Sequence, residues 1–396
     1  MQTADLGVST SATLGGLIVP QVTGQERAND PSLTKVLHII NGEFFAGAER
    51  VQQILGKRLN GSGFDPLFAL VKPGAFRDQS RLRRYQLFDC PMKSRFDLST
   101  ATRIARLAIE QNCQLLHAHT PRTALLADRV AAQVDLPWVY HVHSPTSRDS
   151  TRGILNRINT AIEKRAIKHC DLVITVSKSL RREMLSQGVP RRKLAVVPNG
   201  VPAGHPIPHR KFSNWRLGLV ALMRPRKGVE VALRMLRELR DRGQSVELEL
   251  VGAFETPEYE KRIKALIEEL ALESSVTCSG FTSDIPSALH RIDALLLPSL
   301  FGEGMPMVVL EAIAHGLPVI ATRVEGTPEV IRDGIEGYLA EPGCAMSLAE
   351  CVNKLMASRE KWAELSKNAR TRHQERFSDQ AMAERIAKAY RKVLAS

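Results

Sequence analysis

Two series of short apolar runs, separated by helical segments, constrain the fold of this chain more than any other feature. The first series lies at 35–40, 115–119, 138–142, 172–175 and 194–197. The second lies at 217–222, 246–251, 276–279, 294–297 and 319–321. Strands that alternate with helices form parallel sheets covered on both faces. The pattern therefore predicts an α/β protein with two doubly wound, Rossmann-like domains that face each other across a cleft.

The length and local composition predict where these domains begin and end. A chain of 396 residues is too long for one ordinary core. Residues 1–33 lack periodicity and contain no basic residue before Arg27, which predicts a disordered tail rather than a secretory signal. We expect an N-terminal domain at 34–205, a Pro/Gly-rich linker at about 198–208, and a C-terminal domain at 206–377. Residues 378–396 have the spacing of an amphipathic helix.

The composition indicates a cytoplasmic protein. No run approaches the ~18 uninterrupted apolar residues of a membrane-spanning helix. The six cysteines are scattered and form no C-x-x-C pair, which favours reduced thiols over disulfides or a zinc site.

The excess positive charge lies entirely in the N-terminal half. Residues 1–210 contain 29 lysines and arginines and 16 aspartates and glutamates, whereas the remainder contains 26 of each. Such a surface suits nucleic acid, an anionic membrane or a phosphate-bearing acceptor, or serves solubility alone. Because aromatic residues make up only 5 % of the chain, nucleic-acid binding is disfavoured. We therefore expect a membrane or lipid-phosphate partner and peripheral attachment to the inner face of the membrane.

Two basic segments are candidates for membrane docking. The first carries six cations, which are Arg77, Arg81, Arg83, Arg84, Lys93 and Arg95, interspersed with Phe76, Tyr85, Leu87 and Phe88. The second is 152–168, where four isoleucine and leucine residues form a stripe among basic residues. A stripe of this kind also suits a helix that packs on the core, and this alternative stays open.

The stretch 301–312 places two glutamates around the start of a helix. It reads FGEGMPMVVLEA, a glycine turn followed by an apolar helix, with Pro306 suited to the first helical position. Glu303 then precedes the helix, and Glu311 lies roughly 8 Å or more further along its axis. Between them, Gly304 and the free N–H groups of the first turn form an anion site. The pair favours a ligand with hydroxyls on both sides of a phosphate, such as a nucleotide-diphosphate-sugar.

This stretch resembles the E-x7-E segment of retaining glycosyltransferases of family 4, which have the GT-B fold. Other segments, in the same order as in the family, are similar to its glycine loop (46–50, AGAER), interdomain segment (198–201, PNGV), phosphate loop (224–228, RPRKG) and C-terminal elements (316–319, GLPV; 326–329, GTPE). The resemblance covers about residues 35 to 390. Several motifs in one order are far more specific than any one of them.

The resemblance implies roles for residues in several of these segments. Glu303 would bind the donor sugar and Glu311 the ribose, while the backbone around the diphosphate would be shaped by Gly304, Met305 and Pro306. Three residues of the N-terminal domain would contact the substrates. Gly47 would contact the diphosphate, His143 would contact the transferred sugar, and His119 would line the acceptor side. The final helix would cross back onto the N-terminal domain; an ordinary surface helix of the second domain is the alternative that the sequence leaves open. The chain departs from the family at Ala46, where the first loop glycine is usual, and at Leu222, where an arginine is common.

The leaving diphosphate needs cations. No two aspartates are spaced as Asp-x-Asp, the pair that often holds a metal in sugar transferases, so we assign this role to Arg224 and Lys227, with Gly228 allowing close approach. The choice between Arg224 and Arg226 stays open, and a solvated basic turn is the alternative.

Histidines are dense at two predicted strand ends. Alternation directs His117 and His119 to one face and likewise His141 and His143. A metal cluster is conceivable here, but without a supporting carboxylate pattern we predict no metal ligands.

We expect a metal-independent, retaining enzyme without a cofactor. It would move a hexose-type sugar from a UDP-sugar or GDP-sugar to a cytosol-facing lipid-linked or polysaccharide precursor. The resemblance implies front-face displacement, in which the leaving phosphate takes the acceptor proton. The alternatives are another GT-B enzyme, such as a nucleotide-sugar epimerase, and a basic adaptor for membrane or nucleic acid.

Overall fold

The computed structural model describes residues 32–94, 97, 99–145, 161, 163–207 and 214–396. The predicted tail, except for its last two residues, lies outside these ranges. So do Arg95 and all four residues of the apolar stripe in the second basic segment.

The first half of the chain forms a parallel sheet of seven strands. They are β1 (Thr34–Ile40), β2 (Phe64–Leu70), β3 (Leu87–Asp89), β4 (Leu115–Ala118), β5 (Trp138–Val142), β6 (Leu172–Thr175) and β7 (Leu194–Val196). Their order in the sheet is β3-β2-β1-β4-β5-β6-β7. The helices described with this sheet are α1 (Gly47–Arg58), α2 (Ala75–Gln79), α3 (Ser99–Glu110), α4 (Pro121–Val134) and α5 (Lys178–Ser186).

The second half forms a parallel sheet of six strands in the order β10-β9-β8-β11-β12-β13. They are β8 (Trp215–Val220), β9 (Val246–Val251), β10 (Val276–Gly280), β11 (Ala294–Leu297), β12 (Val319–Thr322) and β13 (Gly337–Ala340). The helices are α6 (Val229–Asp241), α7 (Pro257–Glu269), α8 (Ile285–His290), α9 (Met307–Ala314), α10 (Thr327–Val330), α11 (Ala345–Met356) and α12 (Arg359–Arg372).

The predicted fold class is confirmed, since both sheets are parallel and both domains are Rossmann-like. Three strands were not predicted: β2, β3 and β13. Strand β2 contains Pro66, which is unusual inside a sheet. It is tolerated because β3 pairs only with Phe68–Leu70, beyond the proline, so that Pro66 has one neighbouring strand instead of two. Strand β3 has only three residues, and β13 begins at a glycine.

The last helix, α13 (Asp379–Leu394), packs against the first domain. The Ser378 side chain caps its first turn by accepting from the N–H of Ala381. At its start Arg58 Nε donates to Asp379 Oδ2 at 2.6 Å, and near its end the ring of Tyr390 meets Phe64 edge-on at 5.1 Å between centroids. The described chain contains no helix that is both long enough and apolar enough to span a membrane.

The interdomain segment and the start of α13 run side by side. Val201 N–H donates to the Phe377 carbonyl at 2.9 Å, and Asp379 N–H donates to the Val201 carbonyl at 3.0 Å. A Cβ at Gly200 would lie 2.2 Å from the Ser378 carbonyl oxygen, so only glycine allows this approach. The chain passes between the domains at the interdomain segment and again just before α13, and these two segments are thus hydrogen-bonded to each other.

The first basic segment is not the apolar docking surface that its sequence suggested. Phe76 is fully buried and Leu87 is 7 % exposed, and both belong to a small core cluster together with Ile40, Phe68 and Leu70. Phe88 is half-buried. Of the four apolar or aromatic residues named for this segment, only Tyr85 is exposed. Apolar residues that fill the core are not available for insertion into a membrane, so the described surface of this segment offers its cations and Tyr85.

Candidate active site

The glycine turn between β11 and α9 places Glu303 and Glu311 as its sequence predicts. Pro306 is the N-cap of α9, one residue before the predicted position, and the helix begins at Met307. Gly302 has a φ of +84°, which glycine adopts without strain. Glu303 precedes the helix and Glu311 is its fifth residue. Both side chains are nearly buried, with residue exposures of 5 % and 8 %.

Glu303 is ion-paired in the second domain. Lys227 Nζ lies 2.5 Å from its Oε1, Arg226 lies 3.6 Å away, and Ser299 Oγ donates at 2.6 Å. Burial acts to raise the pKa of Glu303, but these two cations and the serine outweigh it, so the pKa is lowered. Burial also lowers the pKa of Lys227, against the attraction of Glu303. The carboxylate is therefore ionised and held against an ammonium group.

The phosphate loop uses its three cations differently. Arg224 is directed to Glu255 at 3.5 Å, whereas Arg226 donates to the carbonyls of Phe301 and Gly302 and Lys227 reaches Glu303. Of the two arginines left open by the sequence, Arg226 is thus the one beside the glycine turn.

Gly228 fixes the conformation of this loop. It has a φ of +70°, and a Cβ there would lie 2.1 Å from the Pro298 carbonyl oxygen. The backbone therefore needs glycine both for its left-handed conformation and for its close contact with the end of β11.

Glu311 meets a cation from the other domain. Arg50, on α1, donates through Nη1 to Glu311 Oε2 at 3.0 Å, and its second nitrogen pairs with the other oxygen. Burial raises the pKa of Glu311, and Arg50 only partly offsets this. On the same first turn of α1, a Cβ at Gly47 would come within 3.7 Å of Met307 Cγ. The N-termini of α1 and α9 therefore approach each other across the cleft.

Arg50 was not among the site residues predicted from the sequence. It lies in the 46–50 segment quoted for the glycine loop, but its contact with Glu311 joins residues 261 positions apart. No local pattern indicates such a pair. Arg50 could have been proposed from its position three residues after Gly47, on the helix that follows the glycine loop.

A double-mutant cycle measures the Arg50–Glu311 pair. The variants Arg50→Ala, Glu311→Gln and the double variant should reveal a coupling of about 1–2 kcal/mol in the free energy of unfolding, because a buried carboxylate loses its counter-charge. We expect a smaller coupling free energy than for a fully buried pair because the Arg50 side chain is 31 % exposed. The exposed pair Arg237–Asp241 is the control and should couple by less than about 0.5 kcal/mol. Equal coupling in both cycles would contradict the assignment.

His143 joins the end of β5 to the glycine turn. A Cβ at Gly304 would lie 2.1 Å from the His143 carbonyl oxygen, so the two backbones are in direct contact. Asn199 Nδ2, from the interdomain segment, donates to the Met305 carbonyl at 3.3 Å. Burial lowers the pKa of His143 to about 4, which leaves its imidazole neutral near pH 7.

His119 lies behind His143. It is 3 % exposed, and its two ring nitrogens lie 3.0 Å from His143 Nε2 and 3.0 Å from His38 Nδ1. His119 is thus enclosed by other histidines, and its expected place on the acceptor side stays a prediction. Behind these residues, the Tyr390 hydroxyl from α13 lies 2.5 Å from His117 Nδ1.

A further contact between the domains comes from Glu329 on α10. Its carboxylate accepts the N–H groups of Lys178 and Ser179, both at 2.8 Å, and so caps the first turn of α5 in the other domain. The GTPE segment at 326–329 was noted in the sequence without a role. In the structure, Glu329 of this segment has a structural role, because it joins the two domains.

Most of the predicted site residues therefore lie on the two facing walls of the cleft. The second domain contributes six of them, namely Lys227, Glu303, Gly304, Met305, Pro306 and Glu311. The first domain contributes Gly47 and His143. Arg224 is turned toward Glu255 and His119 is enclosed. The arrangement offers two carboxylates, one on either side of the N-terminus of α9 and each paired with a cation, which suits an anionic ligand carrying hydroxyl groups on either side.

Comparison with known proteins shows the family of this chain. The family model described as Glycosyltransferase Family 4 matches residues 45–204, and the model described as Glycosyl transferases group 1 matches residues 212–372. Together they match most of the chain. This protein belongs to glycosyltransferase family 4 and has the GT-B fold.

Individual relatives and solved structures are also similar to this chain. The amylovoran biosynthesis glycosyltransferase AmsK of Erwinia amylovora is 30% identical over 47% of each chain. N-acetyl-alpha-D-glucosaminyl L-malate synthase of Bacillus anthracis is 28% identical over 81% of this chain and 84% of its own. The Anabaena protein Alr3699/HepE, crystallised with UDP and glucose, has a TM-score of 0.78 at 22% identity, covering 91% of this chain and 100% of its own. The chain spans about half to three fifths of the length of the first curated relatives it matches.

Proposed function

We propose that this protein is a retaining, metal-independent glycosyltransferase. It moves a hexose-type sugar from a UDP-sugar or GDP-sugar to a lipid-linked or polysaccharide precursor that faces the cytosol. The observation that carries the proposal is the placement of Glu303 and Glu311 on either side of the N-terminus of α9, each nearly buried and each paired with a cation.

The geometry suggests how the donor lies. Glu311 would bind the ribose hydroxyls and the N–H groups of the first turn of α9 the diphosphate, while Glu303 and His143 would hold the sugar. In the present structure Lys227 and Arg50 are paired with the two carboxylates. An arriving diphosphate would share Lys227, which frees carboxylate oxygen for sugar hydroxyls.

Lys227 and Arg226 would stabilise the leaving diphosphate. Preorganised cations near the developing charge are a large source of rate enhancement in phosphate chemistry. Both lie beside Glu303, at 2.5 and 3.6 Å. With no Asp-x-Asp pair in the sequence, we assign to these cations the role that a metal has elsewhere. The proposed retention of anomeric configuration by front-face displacement is inferred from the family. In that mechanism the departing phosphate would take the acceptor proton.

The acceptor proposal rests on charge. All of the net positive charge belongs to residues 1–210, in the half that would meet the acceptor. A relative named for amylovoran biosynthesis supports an acceptor in polysaccharide assembly. We propose a cytoplasmic enzyme held at an anionic membrane by electrostatic attraction, which falls with salt.

The test is release of nucleotide from UDP-, GDP- and ADP-sugars, with and without EDTA and with a lipid-phosphate extract as acceptor source. We expect release from one donor, undiminished by EDTA, and a product whose anomeric configuration by NMR matches that of the donor. Loss of release in EDTA would contradict metal independence, and an inverted product would contradict retention. Conversion of the donor alone would indicate an epimerase.

A further inference from the structure

Five histidines gather in the first domain behind the cleft. They are His38 on β1, His117 and His119 at the end of β4, and His141 and His143 at the end of β5. These three strands are neighbours in the sheet. The ring centroids of His117 and His119 lie 4.1 Å apart and those of His141 and His143 lie 4.2 Å apart. We call this group the histidine cluster.

The histidine cluster has more ring nitrogens than hydrogen-bond partners. Both nitrogens of His141, Nε2 of His117 and Nδ1 of His143 are buried without a partner among the described residues. A buried polar atom without a partner is unfavourable, and such atoms are rare in folded proteins. Several together indicate that the cluster has a ligand rather than a purely structural role.

Three members of the cluster have the spacing of metal ligands. His119, His141 and His143 each offer one ring nitrogen within 4.8 Å of the other two, and His119 Nδ1 lies 3.0 Å from His143 Nε2. Nitrogens bound to tetrahedral zinc at ~2.0–2.1 Å are roughly 3.3 Å apart, so small rotations of the rings complete the geometry. The group His38, His117 and His119 has similar spacing, but His38 and His117 already contact the Tyr390 hydroxyl.

The surroundings of the outer three histidines also suit a metal. Nε2 of His119 lies 3.0 Å from His38 Nδ1, which orients the ring with Nδ1 toward His143, and metal-bound histidines are usually held in this way by their second nitrogen. His143 is only half-buried, which gives access from the cleft.

We propose that His119, His141 and His143 form a binding site for a divalent transition metal ion of the zinc class, with a fourth position open toward the cleft. Imidazole ligands suit zinc, cobalt and nickel, whereas magnesium and calcium prefer oxygen ligands. The two groups with metal-ligand spacing in the described chain consist of histidines alone. This site shares His143 with the proposed sugar contact but none of the cations proposed for the diphosphate, and its test measures metal binding rather than sugar transfer.

The test is metal binding by the full chain, made without a histidine tag and stripped with EDTA. After dialysis against Zn²⁺, elemental analysis should find about one equivalent in the wild type, and Co²⁺ should give the visible absorption of a tetrahedral site. The variant His141→Phe should lose both signals. His169→Gln is the matched control, because His169 is 71% exposed and paired with Asp128 outside the cluster, and it should bind as the wild type does.

The fold of the variants is checked by their melting temperatures. His141→Phe replaces two unpartnered buried nitrogens by an apolar ring, so it should melt no lower than the stripped wild type. Zn²⁺ should raise the melting temperature of the wild type but not that of His141→Phe. His119→Gln provides a second variant should the first not fold. The proposal is overturned if the wild type binds neither metal, or if the folded variant binds as tightly as the wild type.

Discussion

Glu303→Gln should reduce sugar transfer by about 10²–10³-fold while the protein stays folded. The side chain keeps its shape but loses the charge that holds Lys227 at 2.5 Å and accepts from Ser299. Loss of one preorganised electrostatic contact at a reacting centre commonly costs this much in rate. Initial rates of nucleotide release at saturating donor measure the effect.

Stability separates the chemical effect of Glu303→Gln from unfolding. Lys227 would keep an amide acceptor but lose its counter-charge, so we expect the free energy of unfolding to fall by about 1–3 kcal/mol, less than for outright removal of a buried partner. Glu255→Gln is the control, because its carboxylate is 44% exposed and lies 3.5 Å from Arg224. It should change stability by less than about 0.5 kcal/mol. A Glu303→Gln enzyme with wild-type transfer rates would refute the assigned role.

Gly304→Ala should disturb the site through the contact of Gly304 with the opposite wall. The added Cβ would lie 2.1 Å from the His143 carbonyl oxygen. Because the Cβ is fixed to one backbone segment and the oxygen belongs to another, one of the two segments must shift by about 1 Å. Such a displacement can lower the rate by about 10²-fold. The clash should also destabilise the protein by about 1–3 kcal/mol. Transfer rates and chemical denaturation measure both effects.

A second glycine variant serves as the control for this prediction. No atom would lie within 4 Å of a Cβ at Gly61, so Gly61→Ala should leave rate and stability nearly unchanged. If Gly304→Ala behaves like Gly61→Ala, then the contact between His143 and the glycine turn does not hold the site together.

The fold was largely predictable because its signals are local. The apolar runs gave ten of the strands, and a glycine turn before an apolar helix placed Glu303 and Glu311. Strand β2 was missed because Pro66 argues against a strand interior, and only the short neighbour β3 makes the proline acceptable. This information lies in the pairing of strands rather than in the run itself.

The missing parts of the site depend on contacts between distant segments. The Arg50–Glu311 pair joins two domains, and Tyr390 reaches His117 from the last helix, 273 residues further along the chain. Helical spacing shows that Tyr390 is on an apolar face, but not what the face packs against. In the same way, alternation placed four histidines on common faces, whereas the fifth, His38, joined them only through the order of the strands.

Calorimetric titration with a nucleotide and its nucleotide-sugar tests the central claim most directly. The measurement compares UDP with UDP-glucose, or GDP with GDP-mannose, in the wild type, Glu311→Gln and Glu303→Gln. If Glu311 binds the ribose, its variant should weaken nucleotide and nucleotide-sugar by the same factor, about 10-fold or more. If Glu303 binds the sugar, its variant should weaken the nucleotide-sugar more than the nucleotide. Wild-type affinities in both variants would contradict a donor site built on this pair.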